Sequence, residues 1–336
     1  MRIALDTMGG DNAPRAEVAG AVAAARAYGI EVLLVGQRDP IRAELAHHDT
    51  AGLRLEIVEA PTVLDMHEAD PARAVRRKPD SSLVRALALV HEGQAAAAVS
   101  AGNTGAVMAG ALYELKRIPG VMRPAIAIVM PTPRGRVLLL DVGANVDCKP
   151  EWLAQFGLMG AVYLEQVYGE ARPRVGLLSI GEEASKGNQL VQQAYPLLEA
   201  LPINFVGNVE GKDLFADLAD VVVCDGFVGN VALKLIEGVA GTISRMLREA
   251  VTATPGRKVL AFGLRGAFGD LRKRMDYAEY GGAPLVGING VCIVAHGRSS
   301  PYAMQHALRV AREGAEHHVV DRLAEAVGRV AVNSAT

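Results

Sequence analysis

Cysteines, aromatic side chains and long hydrophobic runs are all scarce in this chain. Its 336 residues include 3 cysteines, and aromatic residues make up 4%. Cys148, Cys224 and Cys292 are odd in number and far apart, which argues against a disulfide framework or a cysteine-rich zinc site and fits a reducing cytosol. No uninterrupted apolar run approaches the roughly 18 residues of a membrane-spanning helix. The sequence therefore predicts neither a secreted disulfide scaffold nor a spanning segment.

An excess of charge of either sign is also missing. The formal net charge is −2 at pH 7, so nothing global draws the chain to nucleic acid and any basic surface must be local. Hydrophobic residues make up 50% and charged residues 21%, which is typical of a globular enzyme. We expect one α/β catalytic unit over residues 1–336, with two lobes around a central cleft as an alternative arrangement. A strand pattern begins at Met1, so no signal peptide is expected.

Several motifs of common enzyme classes are absent. The chain has no Walker A pattern and no Gly-x-Gly-x-x-Gly after its first strand, which removes support for ATP and for Rossmann-type NAD binding. It has no Gly-x-Ser-x-Gly nucleophile elbow and no His-x-x-x-His or Cys-x-x-Cys spacing. The pairs His47–His48 and His317–His318 lie in helical stretches and are interpreted as surface residues. We therefore expect no metal and no cofactor.

The pattern that is present alternates strands with helices. This alternation predicts a three-layer α/β/α fold with a mainly parallel sheet. Two apolar runs, 125–130 and 136–140, are joined by Pro131–Gly135, which indicates a hairpin and makes the sheet mixed. The other predicted strands are 1–5, 32–35, 53–58, 95–99, 175–180, 203–206, 221–224 and 291–295. The main predicted helices are 16–28, 41–46, 81–91, 103–115, 150–168 and 242–251. A further helix is predicted after the 181–188 turn, another carries Lys234, and closing helices are predicted over 302–332.

The stretch Val99–Met108 joins a buried strand to a small-residue helix through a glycine-containing turn. Gly102 and Gly105 let the backbone come close to a ligand. Backbone N–H groups and the positive end of the helix dipole then form an anion seat. Three side chains add donors to this seat: Ser100, Asn103 and Thr104. The alternative interpretation is an ordinary strand-to-helix turn in which Asn103 or Thr104 caps the helix.

Four more predicted strands end in similar turns, which contain Gly and Asn with carboxylates or a lysine beside them. The five turns are 100–105, 141–145, 181–188, 207–212 and 225–230. In an open α/β sheet such strand ends gather along one edge, where ligands bind. Turn chemistry alone does not explain five such corners, so the sequence predicts that they meet around a ligand with phosphate-like oxygens.

Two further segments carry charge patterns. Residues 60–80 are polar and predicted to lie over the cleft, with a basic cluster at Arg73, Arg76 and Arg77; a solvated charged loop is the alternative. Residues 240–278 are predicted to form a protruding amphipathic helical hairpin. Its 257–275 stripe interleaves apolar side chains with arginines and lysines. This stripe suits a helix packed on a partner subunit, or one lying on anionic lipid or an acidic protein.

Several segments together resemble one family, the bacterial phosphate acyltransferases of phospholipid synthesis (the PlsX family). The resemblance is carried by Asp6–Asp11, Ser100–Gly105, Asp141–Asn145, Lys149–Glu151, Ile180–Glu183 with Lys186–Asn188, Gly207–Gly211, Asp225–Asn230, Gly281–Pro284 and His296–Ser299. These blocks occur in the family's order from residue 1 to about residue 310. Thr7, where the family usually has Ala, and Ser179, where it usually has Asn, are small departures.

The resemblance implies a reaction in which a long-chain acyl group passes from acyl carrier protein to inorganic phosphate. The acyl phosphate product would feed a membrane acyltransferase that acylates glycerol 3-phosphate. The resemblance also implies a fold similar to the isocitrate and isopropylmalate dehydrogenases. It further implies a homodimer that is cytoplasmic and associates peripherally with the inner face of the cell membrane. Acyl carrier protein is acidic, so a basic docking face is expected.

For this reaction the enzyme must position two reactants and stabilise an oxyanion. Phosphate is hypothesised to sit at Ser100–Gly105, with help from Asn145 and Asn188. The residues hypothesised to be catalytic are Lys186, Asn208, Asn230 and His296. Lys186 would offset the charge of the oxyanion, and His296 would shuttle a proton. The remaining hypothesised substrate-binding residues are Glu182, Glu210, Asp225 and Lys234, of which the three carboxylates would orient Lys and Asn side chains.

Four alternatives remain open from the sequence. A covalent route would use Cys148, whose thiolate neighbouring Lys149 could favour. A short-chain phosphate acetyltransferase using coenzyme A would share the turns. An NAD-dependent decarboxylating dehydrogenase would share the fold but would need a divalent metal. A membrane scaffold without catalysis would need only the 257–275 stripe.

Overall fold

Eleven strands form one sheet in the computed structural model, which describes residues 1–254, 256–257, 263, 266 and 281–333. The strands are β1 (Arg2–Asp6), β2 (Glu31–Gly36), β3 (Leu55–Glu59), β4 (Ala97–Ser100), β5 (Ala125–Pro131), β6 (Arg136–Leu140), β7 (Arg174–Ser179), β8 (Asn204–Glu210), β9 (Val221–Val223), β10 (Ala283–Val286) and β11 (Val291–Val294). Their order in the sheet is β3-β2-β1-β4-β11-β10-β5-β6-β9-β7-β8.

The described part of the chain contains ten α-helices, most of which lie on the two faces of this sheet. They are α1 (Arg15–Tyr28), α2 (Arg38–Leu45), α3 (Pro71–Arg77), α4 (Ser82–His91), α5 (Thr104–Glu114), α6 (Pro150–Tyr168), α7 (Gln189–Glu199), α8 (Gly226–Thr252), α9 (Pro301–Glu316) and α10 (Val319–Asn333). A short 3-10 helix follows β8 at Gly211–Phe215.

The sheet is mixed and mainly parallel, with helices on both faces, as predicted. Of the ten strand pairings among the described residues, seven are parallel. The predicted hairpin pairs β5 with β6 in antiparallel fashion. Strand β10 and helix α3 are additional to the predicted elements. The predicted hairpin over 240–278 falls mostly outside the described residues, and only its first arm, the end of α8, is described.

Strand direction divides the sheet into two halves. β1, β2, β3, β4 and β11 run parallel to one another, and so do β6, β7, β8 and β9. Three successive antiparallel pairings, β11 with β10, β10 with β5 and β5 with β6, separate the two sets. Three reversals leave the two sets pointing in opposite directions.

The register at the junction makes the carboxyl ends of the two sets face each other. Val294, the last residue of β11, pairs with Ser100, the last residue of β4. The short β10 then steps from β11 to the start of β5, where Ile126 pairs with Leu285. Next to Ile126, Ala127 pairs with Leu140, which is the last residue of β6. The strand ends therefore meet at a junction inside the sheet, and not along one open edge as the sequence pattern suggested.

Each half has its own core layers. On one face of the first half, α1 and α9 pack over β1, β2, β4 and β11, with Ile3, Leu5 and Met304 fully buried. On the matching face of the second half, α6 packs between α7 and α10, and Phe156 is fully buried there. The opposite face carries α3, α4 and α5. Helix α6 is predominantly buried because its apolar residues and glycines contact strands and helices around most of its circumference.

Helix α8 differs from the other helices because its 27 residues are mostly exposed. Among the described helices it alone is long and apolar enough to cross a membrane by length and composition. Its first turn is nevertheless fixed to the fold. The Asp225 carboxylate caps the helix by accepting from the N–H groups of Phe227 and Val228, at 3.0 and 2.9 Å. Gly226 and Gly229 then lie directly against the 141–145 turn.

The start of α8 gives a test of this packing. A Cβ on Gly229 would stand 1.9 Å from the carbonyl oxygen of Asp141, and backbone cannot move aside as a side-chain tip can. Gly229→Ala should therefore lower the free energy of unfolding by about 2 kcal/mol or more. The matched control is Gly238→Ala on the same helix, where a Cβ meets nothing within 4 Å; it should raise stability by up to about 1 kcal/mol. Urea unfolding of both variants measures this, and equal stabilities would contradict the contact.

Candidate functional site

A cavity of about 540 Å³ lies where the carboxyl ends of the two strand sets meet. Its walls come from the turn after β4, the turn after β6, the first turns of α8 and the segment after β11. Residues 66–67 border it too, as predicted for the 60–80 segment. Its polar lining is Asp11, His67, Asn103, Thr104, Asn230, Lys234, Glu237, His296 and Ser299. Its apolar lining includes Ile126, Ile128, Val142, Leu233 and Val294.

The turn after β4 is held by a buried hydrogen-bond chain. The Ser100 hydroxyl donates to Oδ2 of Asp6 at 2.7 Å and accepts from the N–H of Gly102 at 3.1 Å. Ser100 and Asp6 are both buried, and burial raises the pKa of Asp6. Because its proton is committed to Asp6, Ser100 shapes the turn and is not the free phosphate donor that the sequence suggested.

Asn103 is the N-cap of α5, in agreement with the ordinary interpretation of the turn. Its Oδ1 accepts from the N–H of Ala106 at 3.0 Å, and its Nδ2 donates to the Met66 carbonyl at 2.8 Å. These two bonds use both the oxygen and the nitrogen of the Asn103 amide. The bond to Met66 also holds the 60–80 segment against the turn. The N–H groups of Thr104 and Gly105, in the first turn of α5, have no intrahelical acceptor. Both residues are exposed and line the cavity, so an anion seat remains there.

Helix α8 supplies an amide and a cation to the cavity, and the segment after β11, which lies beside the turn after β4, supplies an imidazole. Asn230 and Lys234 lie one turn apart on α8, and both are exposed. The Lys234 ammonium pairs with the carboxylate of Glu237 at 2.9 Å, which also lines the cavity. The ring of His296 accepts at Nδ1 from the N–H of Arg298 at 3.1 Å. In the neutral ring this places the proton on Nε2, where it is available for donation.

The turn after β6 is organised by a buried aspartate. Asp141 accepts from the N–H groups of Ile126, Gly143, Ala144 and Asn145 at 2.8 to 3.2 Å. Burial raises the pKa of Asp141, while these donors favour its charged form. The Nδ2 group of Asn145 donates to Asp141 and to the Pro124 carbonyl. Asn145 is therefore buried behind the cavity with both amide protons used, and it does not meet phosphate as hypothesised.

Two of the five predicted turns do not line this cavity. Lys186, Asn188 and Asn208 lie at the carboxyl ends of β7 and β8, which are separated from β6 by β9. Asn208 belongs to β8 itself, because that strand runs through the predicted turn to Glu210. In a single chain the turns therefore form two groups, with three at the cavity and two at the outer strands.

The outer group has contacts of its own. The Nδ2 of Asn208 donates to the carbonyl of Glu183 at 2.8 Å, and its buried Oδ1 has no partner. Asn188 caps α7 by accepting from Val191 N–H at 3.0 Å. Glu210 pairs with Lys212 at 3.1 Å, while Glu182 and Lys186 are exposed. Of the three carboxylates hypothesised to orient Lys and Asn side chains, Glu210 pairs with Lys212, Asp225 instead caps α8, and Glu182 is exposed.

Sequence reasoning missed two buried carboxyl groups behind the anion seat, Asp6 and Glu17. Glu17 is 1% exposed, its Oε2 has no partner, and a Cβ on Gly10 would stand 2.1 Å from its Oε1. Burial raises the pKa of Glu17 to about 7, and the negative charges of Asp6 and Asp11 add to the rise. A signal was present, because Glu17 is the one acidic residue of the alanine-rich helix α1 and lies on its buried side.

The three cysteines are partly or fully buried. Burial raises the pKa of the Cys148 thiol to about 12, which argues against the alternative in which Lys149 favours its thiolate. Cys224 and Cys292 are buried in the core, and burial raises the pKa of both. Across the described residues, no group of three or more His, Cys, Asp or Glu side chains is arranged to hold a metal ion.

Comparisons of the sequence point to one family over nearly the whole chain. The family model described as "Fatty acid synthesis protein" matches residues 1–322. The chain is 52% identical over 335 residues to the "Phosphate acyltransferase" of Desulforudis audaxviator, covering 100% of this chain and 98% of that protein. It is also 52% identical over 325 residues to the "Phosphate acyltransferase" of Geobacter sulfurreducens, covering 97% of this chain and 94% of the relative.

Comparisons of the structure support the fold alone, because the sequence identities are low. The "EutD phosphotransacetylase from Staphylococcus aureus" superposes with a TM-score of 0.62 at 16% identity, covering 94% of each chain. A phosphotransacetylase from Streptococcus pyogenes gives 0.61 at 17% identity, covering 98% of this chain and 94% of that one. A 4-hydroxythreonine-4-phosphate dehydrogenase from Klebsiella pneumoniae gives 0.55 at 16% identity, covering 94% and 99%.

Proposed function

Because the chain belongs to the phosphate acyltransferases of the fatty acid synthesis protein family, we propose that it transfers a long-chain acyl group from acyl carrier protein to inorganic phosphate. The observation that carries this proposal is one cavity with an anion seat on one side and a partly apolar wall beside it. The acyl phosphate produced would enter phospholipid synthesis through a membrane acyltransferase.

The anion seat supports phosphate binding at the start of α5. The N–H groups of Thr104 and Gly105, the hydroxyl of Thr104 and the helix dipole all favour a tetrahedral anion there. Asn103 and Ser100 act behind them, by holding the turn in shape. Phosphate therefore binds at the hypothesised turn, but Thr104 and Gly105 contact it, whereas Ser100 and Asn103 only support the turn.

The opposite wall supports the chemistry. A phosphate oxygen attacks the thioester carbonyl, a carbon–oxygen bond forms, and the carbon–sulfur bond breaks as the carrier leaves as a thiolate. Asn230 and Lys234 are placed to stabilise the oxyanion of the tetrahedral intermediate. His296 is proposed to donate a hydrogen bond from Nε2–H to the departing sulfur, which leaves as a thiolate and takes up the proton carried by the attacking phosphate. The apolar side chains of Ile126, Ile128 and Leu233 suit the start of an acyl chain.

Direct attack is favoured over a covalent acyl-cysteine route. No cysteine is among the cavity's lining residues. Burial keeps the Cys148 thiol protonated, with a pKa of about 12, and its Sγ donates to the Asn145 carbonyl at 3.4 Å. A thiol in this state is a poor nucleophile, since the thiolate is the reactive form.

The proposal is tested first by the product. Purified enzyme, radiolabelled inorganic phosphate and palmitoyl–acyl carrier protein should give an acyl phosphate, detected as transfer of the phosphate label to the acyl product together with release of the free carrier thiol. Acetyl-coenzyme A serves as the comparison donor, because phosphotransacetylases share the fold. We expect turnover at least tenfold faster with the carrier-bound long chain. Faster turnover with acetyl-coenzyme A would instead assign the chain to short-chain chemistry.

A second prediction concerns the lysine that meets the oxyanion. Lys234→Gln should lower kcat at least tenfold, because it removes the cation of the cavity wall while keeping a side chain of similar length. Lys149→Gln, an exposed lysine that does not line the cavity, is the matched control and should keep normal turnover. The variant Lys186→Gln, compared with Lys234→Gln, tests whether the oxyanion lies at the outer turns instead. A loss confined to Lys186→Gln would move the oxyanion to the turns after β7 and β8.

The exposed side of α8 supports the proposal of a homodimer. Six apolar side chains follow one another at intervals of four residues and are at least 38% exposed: Phe227, Val231, Leu235, Val239, Ile243 and Leu247. Monomers rarely expose so continuous an apolar surface. The same helix carries charges of both signs, including Glu237, Arg245 and Glu249, which suits a protein partner better than anionic lipid. We propose that this apolar surface of α8 packs against a second copy of this chain.

The dimer is tested by one glutamate on the stripe. Leu235→Glu should shift the protein from dimer to monomer at micromolar concentration in sedimentation velocity, because a charge would be buried at the interface. Leu218→Glu is the matched control, since Leu218 is also exposed but lies off α8, and it should remain dimeric. A wild-type monomer, or a dimeric Leu235→Glu variant, would overturn the proposal.

The peripheral association with the inner membrane face remains part of the proposal. The 257–275 stripe on which it rests lies outside the described residues, except for residues 257, 263 and 266. Its alternating apolar and basic side chains suit anionic lipid or the acidic acyl carrier protein. The two roles need different faces, since the carrier must reach the cavity at the base of α8.

A further inference from the structure

The feature that the proposed reaction leaves unused is the buried carboxyl group of Glu17. It lies on the buried side of α1, close behind the loop 7–14 and the turn after β4. Its Oε1 contacts Gly10. Gly10 also lies next to the side chain of Ala101, which precedes Gly102 in the turn after β4. Its Oε2 is buried and has no hydrogen-bond partner among the residues that the structure describes. A buried carboxyl oxygen without a donor is costly when charged and tolerable when protonated.

The surroundings of Glu17 carry negative charge and no paired cation. Asp6 on β1 and Asp11 in the loop are the acidic groups that act on it. On the segment that hydrogen-bonds Asp11, the titratable and charged groups are His296 and Arg298, and both are exposed. On α9, the contact beside Gly20, one turn along α1, is made by Pro301, Met304 and Gln305, which carry no charge.

Asp6 and Glu17 differ in the number of hydrogen-bond donors that stabilise the charged carboxylate. Asp6 accepts from Ser100, from Ser82 and from the N–H of Met8. Among the described residues, Glu17 is given only its own backbone N–H as a donor, so its charged form is less well supported than that of Asp6. This agrees with the pKa of Glu17 at about 7. Near neutral pH the layer behind the anion seat therefore changes charge with small changes in pH.

We propose that Glu17 is a positioning residue of the anion seat, which holds the loop 7–14 against the turn after β4 as a neutral acid and weakens phosphate binding when it ionises. The inference rests on the proposed placement of phosphate at Thr104 and Gly105. Two effects act in the same direction. A second buried negative charge repels the anion, and repulsion from Asp6 displaces Gly10 and with it Asp11, which lines the cavity.

The test compares the KM for phosphate of wild type and Glu17→Gln between pH 6 and 8.5, with acyl donor saturating. Phosphate itself ionises in this range, but equally for both enzymes, so the ratio of the two KM values isolates Glu17. The ratio, wild type over variant, should be near one at pH 6 and rise to about fivefold at pH 8.5. kcat should stay within twofold. A flat ratio would overturn the proposal.

Thermal unfolding provides a readout that is independent of turnover. The folded-state pKa of Glu17 is raised from 4.5 to about 7, so the folded protein holds a proton that the unfolded chain has already lost. The stability that this proton contributes is lost as the pH rises through 7. The Tm of wild type should therefore fall relative to Glu17→Gln between pH 6 and 8.5. A constant difference would show that Glu17 does not ionise there, and the proposal would fail.

Two further variants keep the outcomes distinct. Thr104→Val removes a donor of the seat and should raise KM for phosphate about fivefold at every pH. If Thr104→Val acts and Glu17→Gln does not, the seat stands and the role of Glu17 falls; if neither acts, phosphate binds elsewhere. Should Glu17→Gln fail to fold, Asp11→Asn replaces it. Removing that charge lowers the pKa of Glu17, so the rise in KM should begin at lower pH.

Discussion

The reversal of strand direction at β10 is the constraint on which the rest of the molecule depends. Four residues, Ala283–Val286, pair with the end of β11 through their first half and with the start of β5 through their second. This register brings the carboxyl end of β11 close to the carboxyl end of β6, since Ile126 and Ala127 lie next to each other on β5. The cavity exists because this strand is short and because Gly281 and Gly282, both with positive φ, bring the chain into it.

Buried carboxylates fix the conformation of the turns at the strand ends and helix starts. Asp6, Asp141 and Asp225 each accept backbone N–H groups at a strand end or helix start. Such bonds are strong because the acceptor is charged and the surroundings exclude water. Asp141 and Asp225 are therefore structural supports of their turns, whereas Thr104, Asn230, Lys234 and His296 face the cavity.

Much of the fold follows from local pattern, and much of the site does not. Strand–helix alternation and the Pro131–Gly135 turn predict the mixed sheet, because these signals are read within about ten residues. The assignment of Ser100 and Asn145 to phosphate fails for a different reason. Each residue has the right chemistry, but its protons are already used by Asp6, Asp141 and Pro124, which a sequence pattern cannot reveal. Hydrogen-bond occupancy is a property of three-dimensional neighbours.

The separation of Lys186 and Asn208 from the cavity has the same origin. All five turns share glycine and asparagine, but the number of strands between them is set by the sheet order, in which β9 and β7 intervene between β6 and β8. With strands about 4.8 Å apart, each intervening strand moves a turn by roughly that distance.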